Sequence, residues 1–323
     1  MNKETSTFHW PDKFATTSSF EAARETLRTH YLTCLGEMPE QVDLNPRMLA
    51  SEQREGFRRE LVEYTVEKDE APVRAYVCIP NKLRPGAPAV VCLHQHGGQF
   101  ALGKSEQVGR IGSPHQQQAL DLAKRGFITI AADSRCFEER NKYWDGDSIY
   151  GYSLLLKGAT LAGRFIWDIQ REFDYLASRP EVNADLMGLI GHSMGSQQVT
   201  ITLPLEPRIK VAVASQGAKL YSGMLTRGDS LPQSYVIPGL LKVADLDALL
   251  ASFAPKPLLM LGRSMDNVSP LADQQIIEQR LQAIYDLYGA GTNFAFVREP
   301  GGHLFSPPLR QAAYNWLEQH LKI

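Results

Sequence analysis

A short apolar run, Leu186-Met187-Gly188-Leu189-Ile190, leads directly into Gly191-His192-Ser193-Met194-Gly195, and Ser196 to Leu203 can then continue as a helix. Strand, G-x-S-x-G, helix is the pattern of a nucleophile elbow. It constrains the fold strongly, because a turn this sharp between strand and helix crowds the backbone. Glycines two before and two after the serine remove the side chains that would clash. The turn lifts the hydroxyl clear of the sheet, which a serine needs before a neighbouring base can activate it. It also sets the amide of Met194 at a helix N-terminus, where it can hold a developing oxyanion. At average glycine and serine usage, a chain of 323 residues yields about 0.1 chance matches. The motif therefore needs partners before it carries a reaction.

The rest of the chain supplies a matching rhythm. Residues 1 to about 55 read as a helical preamble: Phe20 to Leu35 carries Ala23, Leu27, Tyr31 and Leu35 at helical spacing, Ser18 and Ser19 can cap it, and Pro39 and Pro46 end it. From Phe57 apolar and polar residues alternate through Val66. Lys68-Asp69-Glu70 turns the chain, and Val73 to Ile79 returns as an antiparallel hairpin. Strands and helices then alternate. Strands are expected at Ala89–Leu93, Phe127–Ala132, Leu186–Ile190, Ile209–Ala214, Pro257–Leu261 and Asn293–Val297. Helices are expected at Gln116–Lys124, Gly163–Ser178, Pro270–Tyr288 and Leu309–Leu321. This predicts an α/β domain over 56–323: a mostly parallel sheet begun by the antiparallel hairpin, helices on both faces, and ligands at the carboxyl ends of the strands. Two long connections, about 134–158 and 216–245, break the rhythm. Their aromatic and charged residues read as pocket walls, with Arg135, Trp144, Tyr221 and Tyr235 as candidate substrate contacts.

Composition excludes several classes. Hydrophobic residues make up 43% and charged residues 22%, with a net charge of −2. This is the profile of a globular protein without a nucleic-acid footprint or a polybasic membrane surface. No apolar run approaches the roughly 20 residues of a membrane span, and the first residues lack an apolar signal core. Cys34, Cys78, Cys92 and Cys136 form no CxxC pair and no metal spacing. Buried thiols and a cytoplasmic, reducing setting are expected. The preamble is also compatible with a homodimer contact.

A serine nucleophile needs a base, and the base needs an orienting acid. In this topology they follow in the order serine, acid, histidine. Only His303 and His320 lie downstream. His303 sits in Pro300-Gly301-Gly302-His303 just after a strand, where a loop histidine can reach the serine, whereas His320 lies on the last helix and reads as solvent-facing. Asp266, after the strand Pro257–Leu261, is the expected acid. Ser269 before Pro270 is better placed to cap the next helix, which leaves Asp266 free. Asp245, Asp273 and Glu299 are the weaker alternatives. The second oxyanion amide is expected in His94-Gln95-His96-Gly97-Gly98-Gln99, from His96 or Gly98. The two histidines there find no carboxylate or cysteine at metal-ligand spacing.

These residues together resemble the α/β-hydrolase superfamily, and within it the dienelactone-hydrolase-related and acetyl-xylan-esterase-like branch. Leu35-Gly36-Glu37-Met38-Pro39, Tyr235-Val236-Ile237-Pro238-Gly239-Leu240-Leu241 and Phe253-Ala254-Pro255-Lys256-Pro257-Leu258-Leu259 are similar to stretches of that branch. Dienelactone hydrolases carry cysteine where this chain has Ser193, so the resemblance implies ordinary esters instead. The expectation is a cofactor-free carboxylic-ester hydrolase acting on a small molecule. An amidase, short-peptide or C–C hydrolase with the same triad, and a non-catalytic hydrolase-like scaffold, are the alternatives.

Overall fold

The computed structural model describes residues 14–142 and 148–321. Nine strands form a single sheet: β1 (Arg47–Gln53), β2 (Phe57–Tyr64), β3 (Val73–Pro80), β4 (Ala87–Leu93), β5 (Ile128–Ala132), β6 (Val182–His192), β7 (Val211–Ser215), β8 (Leu258–Arg263) and β9 (Phe294–Glu299). Their spatial order is β1-β2-β3-β5-β4-β6-β7-β8-β9. β5, β4, β6, β7, β8 and β9 run parallel, and β1, β2 and β3 pair antiparallel at one edge. The sheet is mostly parallel with an antiparallel N-terminal part.

The central strands are apolar throughout because helices cover both faces. β4 and β7 are buried at every position. Helices Thr17–Cys34, Leu161–Ala177, Met194–Thr202 and Leu271–Leu287 contribute to the apolar cluster on one face. Helices Gln118–Lys124 and Pro307–Leu321 contribute to the cluster on the other. In a parallel sheet all the strand carboxyl ends lie along one rim, and the loops that leave β4, β6, β7, β8 and β9 meet there.

Two expectations need correction. The N-terminal segment is not helical throughout, since Arg47–Gln53 pairs with β2 as an edge strand. Its helix begins at Thr17, capped by Thr16 in a capping box with Ser19. Residues 134–158 contain the helix Ser148–Leu156, and residues 216–245 contain the helices Tyr221–Arg227 and Leu240–Val243. Finally, His320 is half-buried, with its ring 4.3 Å from that of Trp316, so it does not face solvent freely. All four cysteines are free thiols, and Cys78, Cys92 and Cys136 are buried. No described helix is long and apolar enough to cross a membrane.

Candidate active site

β6 ends at His192 and the next helix starts at Met194, so Ser193 alone makes the turn. Its φ of 56° and ψ of −118° lie where few residues other than glycine are found. Such strain persists only when the surroundings fix it. Here the Ser193 amide donates to the Ser215 carbonyl at 2.9 Å, and the Ser193 carbonyl accepts from the Gln197 amide at 3.0 Å. Both flanking glycines are obligatory. A Cβ on Gly191 would lie 2.3 Å from the Gly195 carbonyl, and one on Gly195 would lie 2.4 Å from the Leu93 carbonyl oxygen.

The rim brings Ser193, His303 and Asp266 into one hydrogen-bonded row. His303 Nε2 lies 2.8 Å from Ser193 Oγ, and His303 Nδ1 lies 2.9 Å and 3.1 Å from the two Asp266 carboxylate oxygens. Asp266 is fully buried at its side chain, while His303 is 22% exposed. Asp266 Oδ1 also accepts from the amides of Val268, at 2.8 Å, and Ser269, at 3.2 Å. The premise that Ser269 caps the next helix is therefore wrong. Its hydroxyl donates to the Ala218 carbonyl instead, and Asp266 closes the turn while facing the histidine. The alternative acids are engaged elsewhere. Asp245 accepts from the Tyr221 and Leu246 amides, Asp273 from Arg227 and the Leu220 amide, and Glu299 pairs with Arg263.

Three residues that the sequence did not single out hold the histidine. His192, inside the elbow, stacks its ring 5.1 Å from that of His303 and 5.3 Å from that of Phe305. Burial pushes the His192 imidazole well below its usual pKa, so it is neutral beside His303. Arg263 donates to the Pro300 carbonyl at 2.7 Å and the Gly302 carbonyl at 2.9 Å. Gln216 donates to the Leu304 carbonyl at 2.5 Å and accepts from the Leu304 amide at 2.8 Å. The available signal was position: each is a polar residue at the carboxyl end of an apolar strand.

The loop after β4 contributes a fixed frame. His94 is buried. Its Nδ1 lies 2.8 Å from the Gln95 carbonyl, and its Nε2 accepts from the Ser134 amide at 3.0 Å. Burial lowers its pKa to about 4. The Gly98 amide donates to His96 Nδ1 at 2.9 Å. Met194 opens the helix behind Ser193, its amide at the positive end. No cluster of metal-ligating side chains occurs among the described residues.

Among the described residues, the candidate substrate contacts have partners within the chain. Arg135 is buried in a bidentate pair with Asp168, at 3.0 and 2.9 Å, and also reaches Glu67 and the Tyr150 hydroxyl. Its guanidinium is held in an ion-pair network by these partners. A cavity of about 470 Å³ is lined by Arg135, Arg140, Tyr150, Glu63, Glu70 and Arg74 among others, but not by Ser193, Asp266 or His303. Tyr221 and Tyr235 are buried, their rings 5.9 Å apart, with the Lys219 ammonium 4.5 Å from the centre of the Tyr235 ring. Trp144 lies outside the described residues. Met265 and Leu304, the neighbours of Asp266 and His303, are exposed and leave apolar surface beside the row.

Comparison with known proteins agrees with the sheet. A family model described as Abhydrolase family matches residues 2–283. The protein named "Putative hydrolase YtaP" of Bacillus subtilis (strain 168) is 30% identical over 303 residues, covering 92% of this chain and 100% of that protein. Among solved structures, one described as a putative acetyl xylan esterase from Bacteroides fragilis NCTC 9343 has a TM-score of 0.75 at 18% identity, covering 92% of this chain and 79% of that one. A glucuronoyl esterase from Solibacter usitatus has a TM-score of 0.72 at 13% identity, covering 99% and 98%.

Proposed function

The chain belongs to the Abhydrolase family, and from that premise we propose that this hydrolase is a serine carboxylic-ester hydrolase. Ser193 Oγ attacks the ester carbonyl while His303 Nε2 takes its proton. Asp266 keeps the imidazole proton on Nδ1 and stabilises the imidazolium that forms. The Met194 amide holds the oxyanion together with a second main-chain amide from the loop after β4, that of His96 or Gly98. Collapse of the tetrahedral intermediate expels the alcohol, which takes the proton from His303. Water, deprotonated by the same imidazole, then releases the acid and restores Ser193. The chemistry calls for no cofactor.

One observation carries this reading: the unbroken row from Ser193 through His303 to Asp266, with hydrogen-bond distances at both ring nitrogens. The esterase descriptions of the structural neighbours favour an ester over an amide or C–C bond. We carry over the bond type and not the sugar. The test compares p-nitrophenyl acetate turnover by wild type and Ser193→Ala, together with labelling of Ser193 by a fluorophosphonate. Loss of both in the variant is expected, and undiminished turnover would overturn the assignment.

A further inference from the structure

We propose that Gln216 is a positioning residue for this reaction, fixing the distance between nucleophile and base by tying the histidine loop to the strand that anchors the elbow. The proposal rests on the serine-hydrolase reading above. β7 lies between β6, which delivers Ser193, and β8, which delivers Asp266. Its last residue, Ser215, accepts the Ser193 amide at 2.9 Å, and its hydroxyl lies 3.2 Å from His192 Nδ1. The next residue, Gln216, donates its own amide to the Leu261 carbonyl of β8 at 2.8 Å. Two successive residues thus hold the elbow on one side and the acid's strand on the other.

Gln216 then does something a loop residue need not do. It takes a left-handed conformation, φ 57°, which disfavours any side chain and is uncommon for a long one. Its side chain is fully buried and closes a two-bond ring with the peptide groups of Leu304, the residue after His303. At neutral pH a carboxamide offers an uncharged donor and acceptor side by side in this way, and an ionised carboxylate does not. Arg263 holds the carbonyls of Pro300 and Gly302 before the histidine, and Gln216 holds the backbone directly after it. The imidazole is therefore clamped from both sides. Because the Gln216 clamp is one residue from the Ser193 anchor, any slack in it enters the Oγ–Nε2 distance directly. A displacement of about 1 Å at a reacting pair can cost about a hundredfold in rate.

The experiment uses the full chain with Gln216→Leu, which removes both bonds, and Gln216→Glu, which keeps the shape and the acceptor but loses the donor. kcat and KM for p-nitrophenyl acetate are measured from about pH 5.5 to 9, alongside urea unfolding. Both variants should be folded, with kcat down about a hundredfold and KM changed less than about threefold. The kcat of Gln216→Glu relative to wild type should recover as pH falls, because a buried carboxyl beside a carbonyl protonates readily and regains the donor. The Gln216→Leu ratio should stay flat. Folded variants with kcat within about threefold of wild type would overturn the proposal. So would failure of both variants to fold, which would make Gln216 a purely structural residue. If wild type itself neither turns over ester nor labels at Ser193, the hydrolase reading has failed. If wild type does both and the variants match it, only the role of Gln216 has failed.

Discussion

Asp266→Asn is a sharp test of the proposed row, because the structure dictates which way the new amide must point. Asp266 Oδ1 is fixed by the Val268 and Ser269 amides, both of which need an acceptor. An asparagine in the same place keeps its carbonyl oxygen there and turns its NH2 toward His303 Nδ1. That nitrogen must now accept, so the ring proton moves to Nε2 and points at Ser193 Oγ across the 2.8 Å contact. A base that presents a proton to its substrate cannot remove one. The same tautomer inversion in a serine-histidine-aspartate triad lowers kcat by about 10⁴, equivalent to about 5 kcal/mol of barrier. Stability should change far less. Three charge-assisted bonds, from Val268, Ser269 and His303, become neutral ones, at a cost of about 1–3 kcal/mol. Steady-state kinetics on an ester and urea unfolding separate the two effects, with KM expected near wild type. A folded Asp266→Asn enzyme retaining more than about a tenth of wild-type kcat would refute the assignment of Asp266 as the orienting acid.

Two further perturbations test the frame. His94 has an ordinary pKa of 6.5 and a folded value of about 4, so its contribution to stability is complete above pH 6.5 and is lost as pH falls toward 4. The full loss is about 3 kcal/mol. The stability difference between wild type and His94→Gln should therefore shrink by about 2 kcal/mol from about pH 8 to pH 5, and a gap that is constant in urea titrations at the two pH values would contradict a buried neutral imidazole. Gly195→Ala forces a Cβ to 2.4 Å from the Leu93 carbonyl oxygen, where only backbone could give way. A stability loss of at least about 2 kcal/mol is expected by chemical denaturation, and a loss below about 0.5 kcal/mol would show that helix and β4 separate easily.

Local signals in the sequence pointed to the elements that chemistry and periodicity define, and they failed where a partner arrives from far along the chain. The elbow, the glycine-borne histidine and the buried strands were legible because their residues are adjacent and their spacing is set by backbone sterics. β1 was not. Arg47–Gln53 is mostly exposed and has no alternation, and only the open edge of β2 makes it a strand. Arg135 read as a ligand contact because it follows a strand at the rim. Its partners Asp168 and Glu67 lie 33 and 68 residues away, and no local pattern announces them. Ser269 looked like a cap until its hydroxyl met Ala218, 51 residues distant. Gln216 is the same case with a functional outcome, since Leu304 is 88 residues downstream.

The sheet explains why these long-range partners fall where they do. β6 and β8 are separated by β7, so Ser193 and Asp266 start two inter-strand spacings apart, roughly 10 Å. That gap is too wide for a direct contact, and an imidazole with a hydrogen bond at each end spans it. The bridging imidazole must therefore come from a loop that can lie across the end of β7, and the loop after β9 does so. The end of β7 is then the floor beneath the imidazole. It has to pass close to the elbow helix, which Gly217 permits, since a Cβ there would fall 2.5 Å from Ser196 Oγ. It also has to hold what lies over it, which is the role argued for Gln216. Strand order alone thus assigns a different task to each of four successive strand ends. In the connections over this rim, Tyr221 and Tyr235 pack against each other, and Arg135 and Arg227 are held by carboxylates within the chain.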